Sequence, residues 1–181
     1  MRKLIPLAVS LALGVSPLVA TSPVPRKSPE LKFFDPSGKE KLLSSFKGKV
    51  VVIEFLLIKC PHCSRVAQTI DKLHNELGPR GFQPIGIAFD NGISGPVVSN
   101  YVQRFRLAYA VDYTSSANVD SYLGRAGGER LQVPQIVVID RKGVIRAQSH
   151  PVREVNLENE SYLRNLIDTL LKEAASTAAA K

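Results

Sequence analysis

The spacing of apolar residues changes at residue 60 from the pattern of a strand to that of a helix. Residues 50–58 form a nearly continuous apolar run, rich in β-branched residues and interrupted by Glu54, which predicts a strand buried on both faces of a sheet. After Pro61 the apolar residues recur every three or four positions, which predicts an amphipathic helix ending at Gly78-Pro79. A buried strand therefore leads directly into a helix.

Strand and helix patterns alternate along the rest of the chain. Asp35-Pro36-Ser37-Gly38 joins apolar pieces at 31–34 and 41–43 into a predicted hairpin, and Asp140-Arg141-Lys142-Gly143 predicts a second hairpin. The remaining predictions are strands at 84–89, 110–113, 136–139 and 144–147, helices at 96–107, 116–123 and from about 157, and a flexible loop at 124–130. The last helix is predicted to bury Tyr162, Leu163, Leu166, Ile167, Leu170 and Leu171. This order predicts an α/β sandwich of three layers, with a mixed central sheet, helices on both faces and an N-terminal β-hairpin extension.

The first 20 residues have the composition of a secretory signal peptide. Arg2 and Lys3 precede an apolar stretch, and Ala20 is a small residue at the expected cleavage position. An uncleaved anchor is the alternative, because about 17 apolar residues is the lower limit for crossing a bilayer. Residues 21–30 predict a proline-containing linker, 31–175 one domain and 176–181 a flexible tail. We expect the domain in the periplasm or another oxidising, extracytoplasmic compartment, free or tethered to a membrane through residues 4–20.

Composition fits one globular domain, and the charge indicates no special partner. The 181 residues are 44% hydrophobic, enough for one core. Without Arg2 and Lys3, 22 basic and 16 acidic residues remain, a formal charge of +6. The basic residues are scattered and form no nucleic-acid motif, so we interpret them as a solvated surface and expect no nucleic-acid partner.

The motif Cys60-Pro61-His62-Cys63 contains the only two cysteines of the chain. A disulfide across so short a loop removes little chain entropy, so redox or metal chemistry explains the pair better than structural stapling. At a helix N-cap, Cys60 faces unpaired backbone N–H groups and the positive end of the helix dipole, which favour its thiolate. Cys63 lies one turn later on the same face. Cys60 is therefore the predicted attacking cysteine, and Cys63 is the shielded resolving cysteine.

The residues next to Cys60 are predicted to adjust the pKa of its thiol. Pro61 suits the first helical turn, where its missing N–H would have no partner. His62 and Lys59 can each place positive charge beside Cys60, which lowers a thiol pKa and makes the disulfide a stronger oxidant. The alternative for both is an exposed side chain with little effect.

Glu54 lies six residues before the first cysteine, in the apolar strand. Burial should raise the pKa of its carboxyl group and allow it to exchange a proton with Cys63 during disulfide chemistry. The alternative is a glutamate at the edge of the strand that reaches water. Val133-Pro134, just before a predicted hairpin, has no assigned role from local sequence alone.

Together these motifs resemble the thioredoxin-fold thiol-disulfide oxidoreductases, most closely the extracytoplasmic TlpA/ResA-like group of redoxins. The resemblance covers residues 31–174, including the segment Phe46-Lys47-Gly48-Lys49-Val50-Val51-Val52 before the cysteine pair. It implies an enzyme that exchanges a Cys60–Cys63 dithiol or disulfide with protein substrates, without a cofactor or metal, and with a membrane or periplasmic redox partner. It also implies that Pro134 is cis and lies against the sulfur atoms, and that the backbone of Val133 pairs with an extended substrate segment.

Two features of the motif differ from this group. Lys59 occupies the position of the group's usual tryptophan, and the chain contains no tryptophan. The Pro-His dipeptide resembles that of oxidising DsbA-type enzymes, whereas TlpA/ResA-like proteins are commonly reductants. We favour an oxidising potential, above about −200 mV.

Two other functions are compatible with the cysteine pair. A peroxiredoxin-type thiol peroxidase normally has a threonine three residues before its reactive cysteine, where this chain has Leu57. A Cu(I)-binding metallochaperone could use the two thiolates with His62, although related copper proteins carry a histidine where this chain has Pro134. We interpret His74 as a partly exposed helix residue, and His150 follows the second hairpin.

Overall fold

The computed structural model describes residues 23–125, 131–149 and 156–178, with side chains as far as Glu173. The predicted signal segment at 1–20, most of the predicted loop at 124–130, and His150 lie outside these ranges. No helix within the described ranges is long and apolar enough to cross a membrane.

Within the described ranges, eight strands and four α-helices follow one another in nearly the predicted order. The strands are β1 (Arg26–Lys27), β2 (Lys32–Phe34), β3 (Glu40–Leu42), β4 (Val50–Leu56), β5 (Phe82–Ala88), β6 (Val111–Tyr113), β7 (Gln135–Ile139) and β8 (Val144–Gln148). The helices are α1 (Pro61–Leu77), α2 (Gly95–Phe105), α3 (Ser116–Leu123) and α4 (Glu160–Ala178). Both predicted hairpins are present, as β2–β3 and β7–β8.

The described strands form one mixed sheet in the order β1-β8-β7-β4-β5-β6-β2-β3. β4 is parallel to β5 and antiparallel to β7. Because β4 and β7 run in opposite directions, the C-terminal end of β4 lies beside the N-terminal end of β7, where Phe55 pairs with Gln135. The turn from β4 into α1 begins at this same end of the two strands.

Apolar side chains cover both faces of the sheet, as the apolar run of β4 predicted. One core cluster combines Val52 and Leu56 of β4 with side chains of α1, α2 and α4. The other combines Ile53 and Phe55 of β4 with side chains of α3 and of the β2–β3 hairpin. All seven residues of β4 are buried, so the strand that leads to the cysteine pair is held from both sides.

The described structure corrects three details of the sequence analysis. Arg26 and Lys27, expected in a linker, pair with Ile145 and Val144 of β8 and form a short edge strand. Helix α4 begins at Glu160, later than predicted, and continues to Ala178. Tyr162 is 44% exposed, because the face of α4 that packs on the core is narrower than the predicted stripe of six residues.

Candidate active site

Cys60 and Cys63 form a disulfide at the beginning of α1, with their Cα atoms 5.3 Å apart. Cys60 is the N-cap residue of the helix, and Pro61 occupies the first helical position. Cys60 is partly exposed, whereas Cys63 is fully buried in the core cluster. Of the two sulfur atoms, that of Cys60 belongs to the more exposed residue, and the order of attack stays a prediction.

The backbone at the start of α1 is arranged to stabilise negative charge on Cys60. The Cys63 N–H donates to the Cys60 Sγ over 3.1 Å. The first turn of the helix contains no acidic side chain that would oppose the helix dipole there. Lys59, the residue before Cys60, is exposed. The geometry favours the thiolate at Cys60, the form that attacks disulfides.

A carboxylate from the neighbouring strand supports the loop before Cys60. Asp90, which follows β5, accepts a hydrogen bond from the Ile58 N–H over 3.0 Å. The Cys60 N–H in turn donates to the Leu57 carbonyl oxygen over 3.0 Å. These two bonds determine the path of the short connection between β4 and α1, and so the position of the cysteine pair.

The side chain of His62 contacts a carboxyl group that the sequence did not indicate, and the contact is an ion pair when the imidazole is protonated. Its Nε2 atom lies 2.7 Å from the Oε2 atom of Glu158, in the turn before α4. The side chains of His62 and Glu158 are 48% and 33% exposed. His62 is thus an exposed residue, as one alternative held, but it has a specific charged partner.

Glu54 is fully buried, which excludes the alternative of a glutamate that reaches water. Burial raises the pKa of its carboxyl group well above the usual range, the Tyr109 hydroxyl opposes this rise, and the charge of Glu158 adds to it. The Tyr109 hydroxyl is 3.4 Å from both the Glu54 Oε2 and the carbonyl oxygen of Ala67 on α1. The other carboxyl oxygen, Oε1, has no hydrogen-bond partner among the described residues. A carboxyl group in this environment holds a proton at neutral pH more readily than an exposed one.

The peptide bond between Val133 and Pro134 is cis, as the resemblance implied. Pro134 is buried and immediately precedes β7, which places it beside the C-terminal end of β4. Val133 packs against the core cluster that contains Cys63. The position of Val133-Pro134 is therefore compatible with a role beside the disulfide.

Three residues of this region were missed by sequence analysis: Asp90, Tyr109 and Glu158. Asp90 lies in the turn-forming sequence Asp90-Asn91-Gly92, and no local pattern marks the other two. His74 is partly exposed, as expected, and its ring packs edge-on against Phe82 and Tyr109. Within the described ranges, no group of three or more histidine, cysteine, aspartate or glutamate side chains is placed to hold a metal ion.

Comparison with known proteins gives a family model and a set of solved structures. The family model described as Redoxin matches residues 23–167. A thiol:disulfide interchange protein of the thioredoxin family from Chlorobium tepidum is 22% identical, with a TM-score of 0.66 over 83% of this chain and 99% of that chain. The thioredoxin domain of a thiol-disulfide oxidoreductase from Bacteroides vulgatus is 20% identical, with a TM-score of 0.65 over 83% of this chain and 99% of that one. These likenesses show the predicted thioredoxin-like fold.

Proposed function

This chain belongs to the Redoxin family and is a thiol-disulfide oxidoreductase, and from that premise we propose that it exchanges disulfides with proteins outside the cytoplasm. The observation that carries the proposal is the unequal exposure of the pair, with a reachable Cys60 and a buried Cys63. An extracytoplasmic location is supported by the signal-like composition of residues 1–20.

The exchange requires no group beyond the two cysteines and the substrate thiols. In the oxidising direction, a substrate thiolate attacks the Cys60 Sγ, the Cys60–Cys63 bond breaks, and Cys63 leaves as a thiolate that takes up a proton. A second substrate thiolate attacks the substrate sulfur of the mixed disulfide and releases Cys60 as a thiolate. Two electrons pass to the enzyme, and the substrate leaves with a new disulfide. The reducing direction is the reverse.

Glu54 is the proposed proton donor and acceptor for Cys63. Glu54 and Cys63 both belong to the side of the sheet covered by α1, since Val52 and Leu56, on either side of Glu54 along β4, contribute to the cluster that contains Cys63. Because burial raises the pKa of Glu54, its carboxyl group can supply a proton to the leaving thiolate near neutral pH. Tyr109 contacts both Glu54 and α1, which orients the carboxyl group towards that helix.

The remaining residues of the proposed site bind the substrate or adjust the reduction potential of the disulfide. We propose that the backbone of Val133 pairs with an extended substrate segment and that Pro134 closes the site beside the sulfur atoms. Pro61, His62 and Lys59 adjust the pKa of the Cys60 thiol. The proposed substrates are protein thiols or disulfides, with a membrane or periplasmic redox partner.

Two cysteine variants test the exchange reaction. Cys60→Ser should abolish insulin reduction and thiol oxidation, because it removes the reachable sulfur. Cys63→Ser should accumulate mixed disulfides between Cys60 and substrate, detectable on non-reducing gels, because the resolving thiol is missing. Full activity of the Cys60→Ser protein would refute the proposal. In the native host, the trapped partner would also identify the substrate and the direction of electron flow.

A further inference from the structure

The contact between His62 and Glu158 bears on the charge beside the cysteine pair whenever the imidazole is protonated. The Pro-His dipeptide alone places a group that can carry positive charge two residues after Cys60. In the folded protein, the carboxylate of Glu158 lies 2.7 Å from the Nε2 of that histidine. A cation whose charge is compensated at this distance stabilises a nearby thiolate less than a free cation does.

The other charged residues near the cysteine pair differ from Glu158 in their contacts. Lys59 is exposed, so solvent screening weakens its effect on the Cys60 thiol without removing it. Glu54 is buried within the protein, and the negative charge of Glu158 adds to the rise in its pKa that burial causes. Glu160, two residues further along, pairs instead with Lys72 and Arg164. Among these acids, Glu158 is the one that contacts the Cys-Pro-His-Cys segment.

We infer that Glu158 is a positioning residue that holds His62, compensates its charge, and makes the Cys60–Cys63 disulfide a weaker oxidant than the Pro-His dipeptide alone would produce. The inference rests on the proposed function, since it concerns the same redox pair.

The relevant reaction is the equilibrium with glutathione. The enzyme disulfide and two glutathione thiols give the enzyme dithiol and one glutathione disulfide, so two electrons move and no other reactant is needed. Stabilising the Cys60 thiolate favours the dithiol and raises the equilibrium constant. By lowering that stabilisation, Glu158 should lower the constant.

Glu158→Gln tests this directly, because glutamine retains an oxygen that can accept from the His62 Nε2–H but carries no charge. At pH 6, which favours the imidazolium form of histidine, we expect the glutathione equilibrium constant to rise at least threefold. This corresponds to about 14 mV, since a tenfold change is about 30 mV for two electrons. The pKa of the Cys60 thiol, followed by thiolate absorbance, should fall. Glu160→Gln is the matched control and should change the constant less than 1.5-fold.

A double-mutant cycle shows whether Glu158 acts through His62. In a His62→Ala background, Glu158→Gln should produce less than half of the shift, on a logarithmic scale, that it produces in the wild type. An unchanged constant in Glu158→Gln, or an equal shift in both backgrounds, would overturn the inference. These results are independent of protein substrates, because glutathione is the only partner used. Failure of the proposed function would appear separately, as exchange activity that survives Cys60→Ser.

Discussion

Replacing Glu54 with glutamine should make the folded protein progressively more stable than the wild type as the pH rises. Burial raises the pKa of Glu54 in the folded protein, whereas a glutamate in the unfolded chain has a pKa of about 4.3. Between these two values the folded protein keeps a proton that the unfolded chain has released. The stability that this proton provides is fully present below about pH 4.3 and is lost as the pH rises towards the raised pKa.

The change in the free energy of unfolding with pH follows from the number of protons bound in the folded and unfolded states. When one more proton is bound in the folded state, the free energy of unfolding falls by about 1.4 kcal/mol per pH unit. Glu54 is fully buried, so bulk solvent does not screen its carboxyl group, and the negative charge of Glu158 adds to the rise in its pKa. Glutamine has nearly the same volume and can still accept from the Tyr109 hydroxyl. Any cost of burying its amide group is a constant offset, whereas the difference between the two proteins grows with pH.

Urea unfolding of both proteins, with the disulfide intact, measures this difference at half-unit steps from pH 4 to pH 8. We expect the difference to increase by about 1.4 kcal/mol per unit above pH 5 and to become constant once the pH exceeds the raised pKa. Glu40→Gln, a change to an exposed carboxylate on β3, should stay within about 0.5 kcal/mol of the wild type throughout. A difference that does not vary between pH 5 and pH 7 would refute the reasoning.

Two further predictions concern packing and buried charge. Gly95→Ala should lower the free energy of unfolding by about 1–3 kcal/mol in urea, because a Cβ there would overlap the carbonyl oxygen of Pro36. Ser94→Ala is its control, since that side chain makes no capping bond, and equal stability of both variants would contradict the prediction. Lys41→Met should cost about 2–3 kcal/mol by leaving the buried carboxylate of Asp112 without its 2.6 Å partner. Adding Asp112→Asn should recover most of that loss in the same assay, and a double variant as unstable as the single one would count against it.

The central part of the fold was predictable because its signals are local. Strand β4 follows from its continuous apolar run, and α1 begins and ends at residues with known local effects, Pro61 and Gly78. Strand β1 was not predicted, because two residues in a proline-containing segment show no periodicity. Tyr162 was placed on the buried face of α4 because periodicity indicates the direction of a helical face but not the width of its contact.

The candidate site likewise contains residues that local sequence indicates and residues that only tertiary packing brings to it. Cys60, His62 and Glu54 were found because the motif and the preceding strand lie within one short stretch of sequence. Glu158 and Tyr109 reach the site only through the packing of α4 and the position of β6 in the sheet. That packing depends on the whole core, and no spacing in the sequence specifies it.

The two outermost strands of the described sheet, β1 and β3, have a consequence for aggregation. β1 has two residues and β3 has three, and each carries charged side chains. An aggregating polypeptide extends a sheet along a long, apolar edge, and short charged edges give it no such template. The described sheet can therefore lie beside other polypeptides without offering them a strand to extend.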